Sequence, residues 1–322
     1  MRELLADAEF IGFRLKGRTP VLNPNFGVKQ GASLEEEYGI ALLPTPQDAY
    51  KQQPDLAVIA VPTALQARYV IDAADHGVDV LVEKPGALNL NEAGQVISAV
   101  RSNGIRFLIS YQRRFHPLIH RLRRILARCE IGKLMSVRIV VGSHVPDWHP
   151  YEDFRGLYAC RADLGGGVVR TECHEIDLVT WLFGAPTRVE AVTGRRGPHD
   201  IDVEDSAEIL MDYETFAVQL SLCFMQRRSQ RHFTITGQDG WIELDLVAQR
   251  MEMGRGGSRP EIFTDAVEND VMFRRQAQYF LHEFEAGDEH YLDALERNAA
   301  VIDRSLARRD VQLPRCDRAD VV

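Results

Sequence analysis

The run Asp55-Leu-Ala-Val-Ile-Ala-Val-Pro62, followed along the chain by Val78-Asp-Val-Leu-Val82, decides the fold of this protein. The first run is apolar and ends at a proline, as a strand buried on both faces should. Residues 65–76, between the two runs, carry apolar side chains at helical spacing, and a glycine follows them. The pattern repeats with a helix predicted to start at Asn91 and a third apolar run at residues 105–111. This alternation predicts right-handed crossovers and an α/β fold with a doubly wound parallel sheet.

Upstream of this core, residues 9–14 predict another strand and residues 33–38 predict a short helix. In a dinucleotide-binding fold, a strand and a G-x-G-x-x-G turn would precede residue 9, and the sequence contains no such turn. We therefore expect a Rossmann sheet whose first strand–helix unit is missing, because the start is internal or the gene is truncated.

Downstream of residue 114 the pattern changes to that of a second domain. Residues 116–128 predict a basic amphipathic helix, and several strands of alternating pattern follow, two of them joined by an Asp239-Gly240 turn. Residues 271–308 are again largely helical in pattern. We expect a Rossmann-like domain over residues 1–113 and an α/β domain with a largely antiparallel open sheet over residues 114–322.

Charge and composition exclude several kinds of partner and compartment. The 322 residues carry 38 basic and 47 acidic side chains, a formal net charge of −9, which argues against nucleic acid and anionic membrane as partners. The apolar runs are too short to span a bilayer, and the first residues lack the apolar segment of a secretion signal. The five cysteines form no C-x-x-C pair, which fits reduced thiols and a cytoplasmic location.

Polar residues follow each of the three predicted parallel strands, where ligands gather in an open α/β sheet. These residues are Pro62-Thr63, Glu83-Lys84-Pro85 and Gln112-Arg113. Lys84 is distinctive because it precedes a proline, which restricts its backbone. A solvated lysine paired with Glu83 is the alternative.

Three further motifs accompany this edge. Glu83-Lys84-Pro85, Tyr111-Gln-Arg-Arg-Phe-His-Pro117, and Leu164-Gly-Gly-Gly167 with His174-Glu-Ile-Asp177 together resemble the Gfo/Idh/MocA family of NAD(P)-dependent oxidoreductases over nearly the whole chain. The resemblance implies a sugar-like substrate and reversible oxidation of a sugar or cyclitol hydroxyl. It also implies oligomer contacts through the open sheet, so we expect a homodimer or homotetramer.

The resemblance also suggests which residues act in the site. Lys84 and His174 carry over as catalytic residues, with His174 suited to remove the hydroxyl proton. The family's acid, three or four residues before the histidine, has no match, because Thr171 and Arg170 stand at those two positions. His174 would therefore work with Lys84 alone, or with Glu172 or Asp177, and Thr171 and Asp177 are expected to contact substrate. The resemblance assigns cofactor contacts to Pro62, Thr63, Glu83, Lys84, Pro85, Gln112 and Arg113.

Coenzyme choice depends on the residues after the strand at 9–14. An acid there would bind the ribose 2′-hydroxyl, whereas this chain has Arg14, Lys16 and Arg18, which suit the 2′-phosphate of NADP. NAD stays possible if these residues form only a solvated basic loop.

Substrate contacts are expected from a polar and aromatic stretch at residues 147–155. Trp148 and Tyr151 can stack on a sugar, and Arg155 can bind a carboxylate or phosphate. The alternative is that the same residues form an ordinary surface loop. The histidines and cysteines match no zinc-binding spacing, so we expect no metal.

Two other functions fit the same sequence. The missing glycine turn and Thr171 favour a non-catalytic or degenerate family member. The resemblance to some family members implies the other function, in which the cofactor is kept and transient oxidation drives elimination or hydrolysis on a sugar.

Overall fold

The computed structural model describes residues 4–5, 7–15, 21–22, 27–285 and 287–307. The first elements form a two-stranded parallel sheet, in which Phe10 pairs with Ile40 and Gly12 with Leu42. These elements are β1 (Phe10–Gly12), α1 (Leu34–Tyr38), β2 (Ile40–Leu42) and α2 (Pro46–Tyr50). Helix α1 begins where the Ser33 hydroxyl accepts the Glu36 N–H and ends at Gly39, which adopts a left-handed conformation.

The predicted strand–helix alternation is confirmed in the next segment. It contains β3 (Leu56–Ile59), α3 (Thr63–Asp75), β4 (Asp79–Val82), α4 (Leu90–Asn103) and β5 (Phe107–Ile109), and the strands form a parallel sheet in the order β3-β4-β5. Its middle and last strands are almost wholly buried. Helix α4 starts earlier than predicted, because the Asn89 side chain, not that of Asn91, accepts the Glu92 N–H.

The parallel sheet is divided into two pieces. Within the described ranges, β1 pairs only with β2 and β3 pairs only with β4, so no ladder joins the two pieces. The space between β1 and β3 is instead a cavity, described below.

The second half of the chain contains an eight-stranded sheet. Helix α5 (Pro117–Ala127) leads into β6 (Leu134–His144), and the strands lie in the order β13-β12-β11-β10-β6-β9-β8-β7. All neighbouring pairs are antiparallel except β6 and β9. The remaining strands are β7 (Arg188–Gly194), β8 (Ser206–Asp212), β9 (Ala217–Cys223), β10 (Met225–Gly237), β11 (Gly240–Asp245), β12 (Arg250–Arg255) and β13 (Glu261–Thr264).

The second half of the chain also contains four further helices. They are α6 (Val168–Thr171), α7 (Cys173–Phe183), α8 (Asn269–Gln278), which continues into a π-helical turn Tyr279–Glu283, and α9 (His290–Leu306). Helix α9 also contacts α4, because Asp303 accepts the Leu90 N–H and Glu289 pairs with Arg101. Within the part of the chain that the structure describes, no helix combines the length and apolar character that crossing a membrane requires.

Candidate active site

The turn after β4 positions Lys84, and its amine is the centre of the site. The Lys84 Nζ donates to the Tyr158 hydroxyl at 2.8 Å and to the Thr171 carbonyl at 2.8 Å. The peptide bond between Lys84 and Pro85 is cis. Burial opposes the charge on Lys84, but Tyr158, Cys173 and Glu172 favour it, and together they raise the lysine pKa above its ordinary value. Lys84 is therefore a cation held against a phenol. It is not the solvated partner of Glu83.

Gln66 fixes the backbone of this turn. Its side-chain amide donates to the Val61 and Lys84 carbonyls at 3.2 and 3.1 Å, and its oxygen accepts the Gly86 N–H at 2.9 Å. These bonds link the end of β3 to the turn after β4. The side chain of Gln66 therefore fixes the backbone position from which the Lys84 side chain extends.

The three consecutive glycines bring Tyr158 to the lysine. Gly165 has a φ of 75°, and a side chain there would lie 2.9 Å from the Ala64 nitrogen at the start of α3. A Cβ on Gly166 would lie 2.3 Å from the Tyr158 carbonyl oxygen. Only glycine permits approaches this close, so the motif joins the turn that carries Tyr158 to the carboxyl edge of the parallel sheet.

His174 lies in the first turn of α7, edge-on to the Tyr111 ring, with ring centroids 6.2 Å apart. Burial lowers the pKa of His174 well below its usual value, and the nearby Arg113, Lys84 and Arg231 charges lower it further. The imidazole is therefore neutral at physiological pH, and protonating it in this environment is unfavourable.

A buried group of charges lies beside His174. Arg231, on β10, donates to Glu172 at 2.7 Å and to the fully buried Glu175. The Arg231 guanidinium is the main group that holds the pKa of Glu172 below its usual value, against the opposing effect of burial. Burial, then repulsion from Arg231, lowers the pKa of Arg113 to about 10. The two glutamates on either side of His174 in the sequence, Glu172 and Glu175, are thus both bound by an arginine from the large sheet.

Buried polar atoms without partners concentrate at the predicted site. Of the eleven such side-chain atoms among the described residues, five belong to predicted site residues: Thr63 Oγ1, Gln112 Oε1, Arg113 Nε, Thr171 Oγ1 and His174 Nδ1. An unpaired buried polar atom costs about 1–3 kcal/mol. Their concentration here indicates a place where a polar ligand completes the hydrogen bonding.

A cavity of about 690 Å³ lies between β1 and β3 and reaches Tyr158. Arg14 and Pro62, two predicted cofactor contacts, line it together with Tyr158, and a cavity of this size suits a small ligand or cofactor. Arg14 is paired with Glu35 on α1, so its charge is already partly neutralised. Lys16 and Arg18 lie outside the described residues.

The other predicted cofactor residues follow the strands as expected. The Glu83 N–H continues the β3–β4 ladder by donating to the Ile59 carbonyl at 2.9 Å, and Pro85 is buried. Gln112 and Arg113 form the 3-10 turn after β5.

The predicted substrate residues lie in different surroundings. Trp148 donates to the Ser143 hydroxyl at 2.9 Å and packs against Phe224. Tyr151 stacks on His149, and the exposed Arg155 pairs with Asp153. Asp177 is buried, with its carboxylate bound by Arg114 and by the Asn298 amide, which favours a structural role over substrate contact.

Tyr158, Gln66 and Arg231 were not predicted as site residues. Tyr158 stands seven residues before the glycine motif and belongs to no spacing that signals chemistry, while Arg231 reaches the site only through the pairing of β10 with β6. Among the described residues, no cluster of His, Cys, Asp and Glu could hold a metal ion.

Comparison with known proteins relates both halves of the chain to the same family. Residues 21–111 match a family model described as an oxidoreductase family with an NAD-binding Rossmann fold, and residues 119–243 match one described as the GFO/IDH/MocA C-terminal domain. The chain is 24% identical over 282 residues to D-xylose 1-dehydrogenase (NADP(+)) 2 of Haloferax volcanii, covering 83% of this chain and 82% of that protein. It is 28% identical over 197 residues to scyllo-inositol 2-dehydrogenase (NADP(+)) of Bacillus subtilis, covering 60% of this chain and 57% of that protein.

A solved structure shares the fold. Levoglucosan dehydrogenase in complex with NADH and levoglucosan superposes with a TM-score of 0.76 at 16% identity, covering 92% of this chain and 86% of that one.

Proposed function

The chain belongs to the GFO/IDH/MocA family of NAD-binding oxidoreductases, and on that premise we propose that it is an NADP-dependent dehydrogenase acting on a hydroxyl of a sugar or cyclitol. The observation that carries the proposal is the hydrogen bond from Lys84 to Tyr158, because Tyr158 lines the same cavity as Arg14. The cavity therefore connects the predicted coenzyme contact with a group able to move a proton.

Tyr158 is the proposed proton-transfer group. In the reducing direction its O–H gives a proton to the substrate carbonyl oxygen, and the Lys84 ammonium stabilises the phenolate that forms by donating to the same oxygen. In the oxidising direction, the phenolate takes the substrate hydroxyl proton. When bound, the nicotinamide would accept or donate the hydride at the same carbon.

His174 has a different proposed role in this arrangement. Because its pKa lies well below the usual value, the neutral imidazole is better suited to hydrogen-bond and orient a substrate hydroxyl than to take a proton from it. Its unpartnered Nδ1 and the unpartnered Thr171 hydroxyl are available for that contact. Orientation, rather than base catalysis, is thus the role that we assign to His174.

The residues that fit a bound NADP are on the same edge. Arg14 would pair with the 2′-phosphate, and Pro62 lines the same cavity. Thr63, Gln112 and Arg113, which follow the parallel strands, each carry a buried polar atom without a partner. The sequence contains no G-x-G-x-x-G turn to bind the pyrophosphate. The proposed contacts therefore reach the 2′-phosphate and the nicotinamide but not the pyrophosphate between them.

Conversion of Tyr158→Phe tests the proposal. We expect kcat for hydride transfer from NADPH to fall about 100-fold or more, because the variant keeps the ring but cannot transfer a proton. Coenzyme affinity should change less than twofold. The matched control is Tyr38→Phe, which removes a hydroxyl from an exposed position on α1 outside the cavity and should leave kcat nearly unchanged. Wild-type rates in the Tyr158 variant would refute the proposed role.

The same assay separates the other two functions. A non-catalytic relative would show no turnover of NADPH with any sugar or cyclitol, whereas redox-assisted elimination or hydrolysis would consume sugar without a net change in NADPH.

A further inference from the structure

A second cavity, of about 640 Å³, lies where α5, α7, the π-helical turn Tyr279–Glu283 and α9 meet. It shares no lining residue with the cavity that contains Tyr158. Its function is therefore not explained by the proposed dehydrogenase site.

Three arginines line this second cavity without carboxylate partners in the described part of the chain: Arg123, Arg275 and Arg297. The Arg123 guanidinium lies over the Trp181 ring at 4.4 Å, and Arg275 donates to the Phe115 carbonyl at 3.3 Å. The Nε of Arg297 is buried and has no hydrogen-bond partner. A buried, unpaired guanidinium nitrogen is unfavourable unless a ligand supplies an acceptor.

The other charged groups around the cavity do not cancel these three. Arg114 already has a carboxylate partner in Asp177, to which it donates two hydrogen bonds. Two exposed acids lie on the lining, Glu283 and Asp288, and Asp288 accepts the backbone N–H of His290 and pairs with its ring. Three guanidinium groups thus face two rim carboxylates, one of which is already engaged.

The charges of the cavity arginines affect the pKa of His120, which also lines this cavity. Burial lowers the pKa of His120, and the guanidinium groups of two cavity arginines, Arg123 and Arg275, and of Arg124 outside the cavity lower it further by repelling the protonated ring. Both cavity arginines therefore lie close enough to one side chain of the cavity to act on it together.

We propose that this cavity binds a small phosphorylated ligand, with Arg123, Arg275 and Arg297 holding its phosphate oxygens. Planar guanidinium groups match the geometry of phosphate oxygens and bind them through paired hydrogen bonds. Trp181 and Tyr279 supply aromatic surface for the rest of the ligand. Arg114 connects the cavity to Asp177, one turn after His174 on α7, so the bound ligand also adjoins the helix that carries His174.

Trp181 provides a local signal for the test. The chain has three tryptophans, so the double variant Trp148→Phe, Trp241→Phe leaves Trp181 as the sole tryptophan fluorophore. In this parent protein we expect pyrophosphate, titrated at constant ionic strength, to change the Trp181 emission in a saturable way.

Arginine variants of the same parent then locate the ligand. Arg275→Gln should raise the Kd for pyrophosphate at least fivefold, because it removes a phosphate donor without touching Trp181. The control Arg128→Gln removes an equal charge from an exposed position at the C-terminal end of α5 outside this cavity and should alter the Kd less than twofold. Absence of a saturable change in the folded parent, or an equal loss of affinity in both variants, would overturn the proposal.

Discussion

At the residue scale, the site depends on a contact between residues distant in the sequence, Lys84 and Tyr158, which the sequence alone could not predict. The sequence predicted Lys84 and His174 as catalytic, and the structure brings Lys84 to Tyr158 through the close approaches of Gly165 and Gly166. Lys84 was identifiable because a lysine before a proline at a strand end is an unusual local pattern. The role of Tyr158 was not, because a tyrosine in a loop becomes informative only when its neighbour in space is known.

The Arg14–Glu35 pair affects coenzyme choice at the same scale. Glu35→Gln frees the Arg14 guanidinium for the 2′-phosphate, so we expect the Kd for NADPH to fall about fivefold, which corresponds to about 1 kcal/mol for a partly exposed pair. The Kd for NADH should change less than twofold. Nicotinamide fluorescence titration measures both values.

The neighbouring Glu36→Gln is the control for that experiment, because Glu36 is exposed and lies in the same helical turn. Tighter NADPH binding in both variants, or in neither, would contradict a specific role for the ion pair.

At the element scale, local capping signals predicted most helices and misplaced one. The helix predicted at residues 33–38 forms between Ser33 and Gly39, whereas the N-cap of α4 is Asn89, in extended conformation, two residues before the predicted Asn91. The antiparallel sheet was predicted from alternation and turns, but the parallel pairing of β6 with β9 was not, because it joins strands far apart in sequence. Pairing between distant strands leaves no local signature.

Helix α5 makes stability depend on pH through its cap. The Nδ1 of the buried His116 accepts the Leu118 N–H at 3.1 Å, and burial, followed by the Arg113 charge, lowers the His116 pKa to about 4. Below about pH 6.5, His116 binds a proton in the unfolded chain but not in the folded chain. The free energy of unfolding therefore falls as the pH drops below about 6.5. His116→Asn keeps an acceptor that does not titrate. Between pH 7.5 and 5.5, it should lose about 1.4 kcal/mol less stability than the wild type.

Urea denaturation at the two pH values measures this difference. The other histidines are common to both proteins and cancel in the comparison. Equal losses of stability in the two proteins would show that the His116 cap does not cause the pH dependence.

At the scale of the whole molecule, the outer face of the large sheet favours association. The strand register places four apolar side chains on this face, each between 37% and 55% exposed. Leu210 and Val192 lie near one edge of the sheet, and Trp241 and Ile262 lie near the opposite edge. Exposed apolar groups on an open sheet are typical of protein contacts, and we predict a homodimer or homotetramer built on this face.

Light scattering tests the predicted assembly. The wild type should have two or four times the 36.4 kDa chain mass, and Leu210→Glu should shift it toward the monomer. Leu90→Glu, which places the same charge on an exposed leucine of α4, should leave the mass unchanged. A monomeric wild type would contradict the prediction.

The division of the parallel sheet also belongs to this scale. The sequence predicted β1, β3, β4 and β5 but missed β2. The gap between β1 and β3 follows from which strands pair, and pairing is a property of the whole domain. The cavity in that gap is lined by Arg14, Pro62 and Tyr158 together, so the proposed function depends on whether a nicotinamide coenzyme binds there.

Titration of the 322-residue protein with NADPH, followed by nicotinamide fluorescence, tests that claim most directly. We expect saturable binding in the micromolar range, weakened several-fold by Arg14→Ala and weaker for NADH than for NADPH. A folded protein that shows no saturable binding of either coenzyme would contradict it.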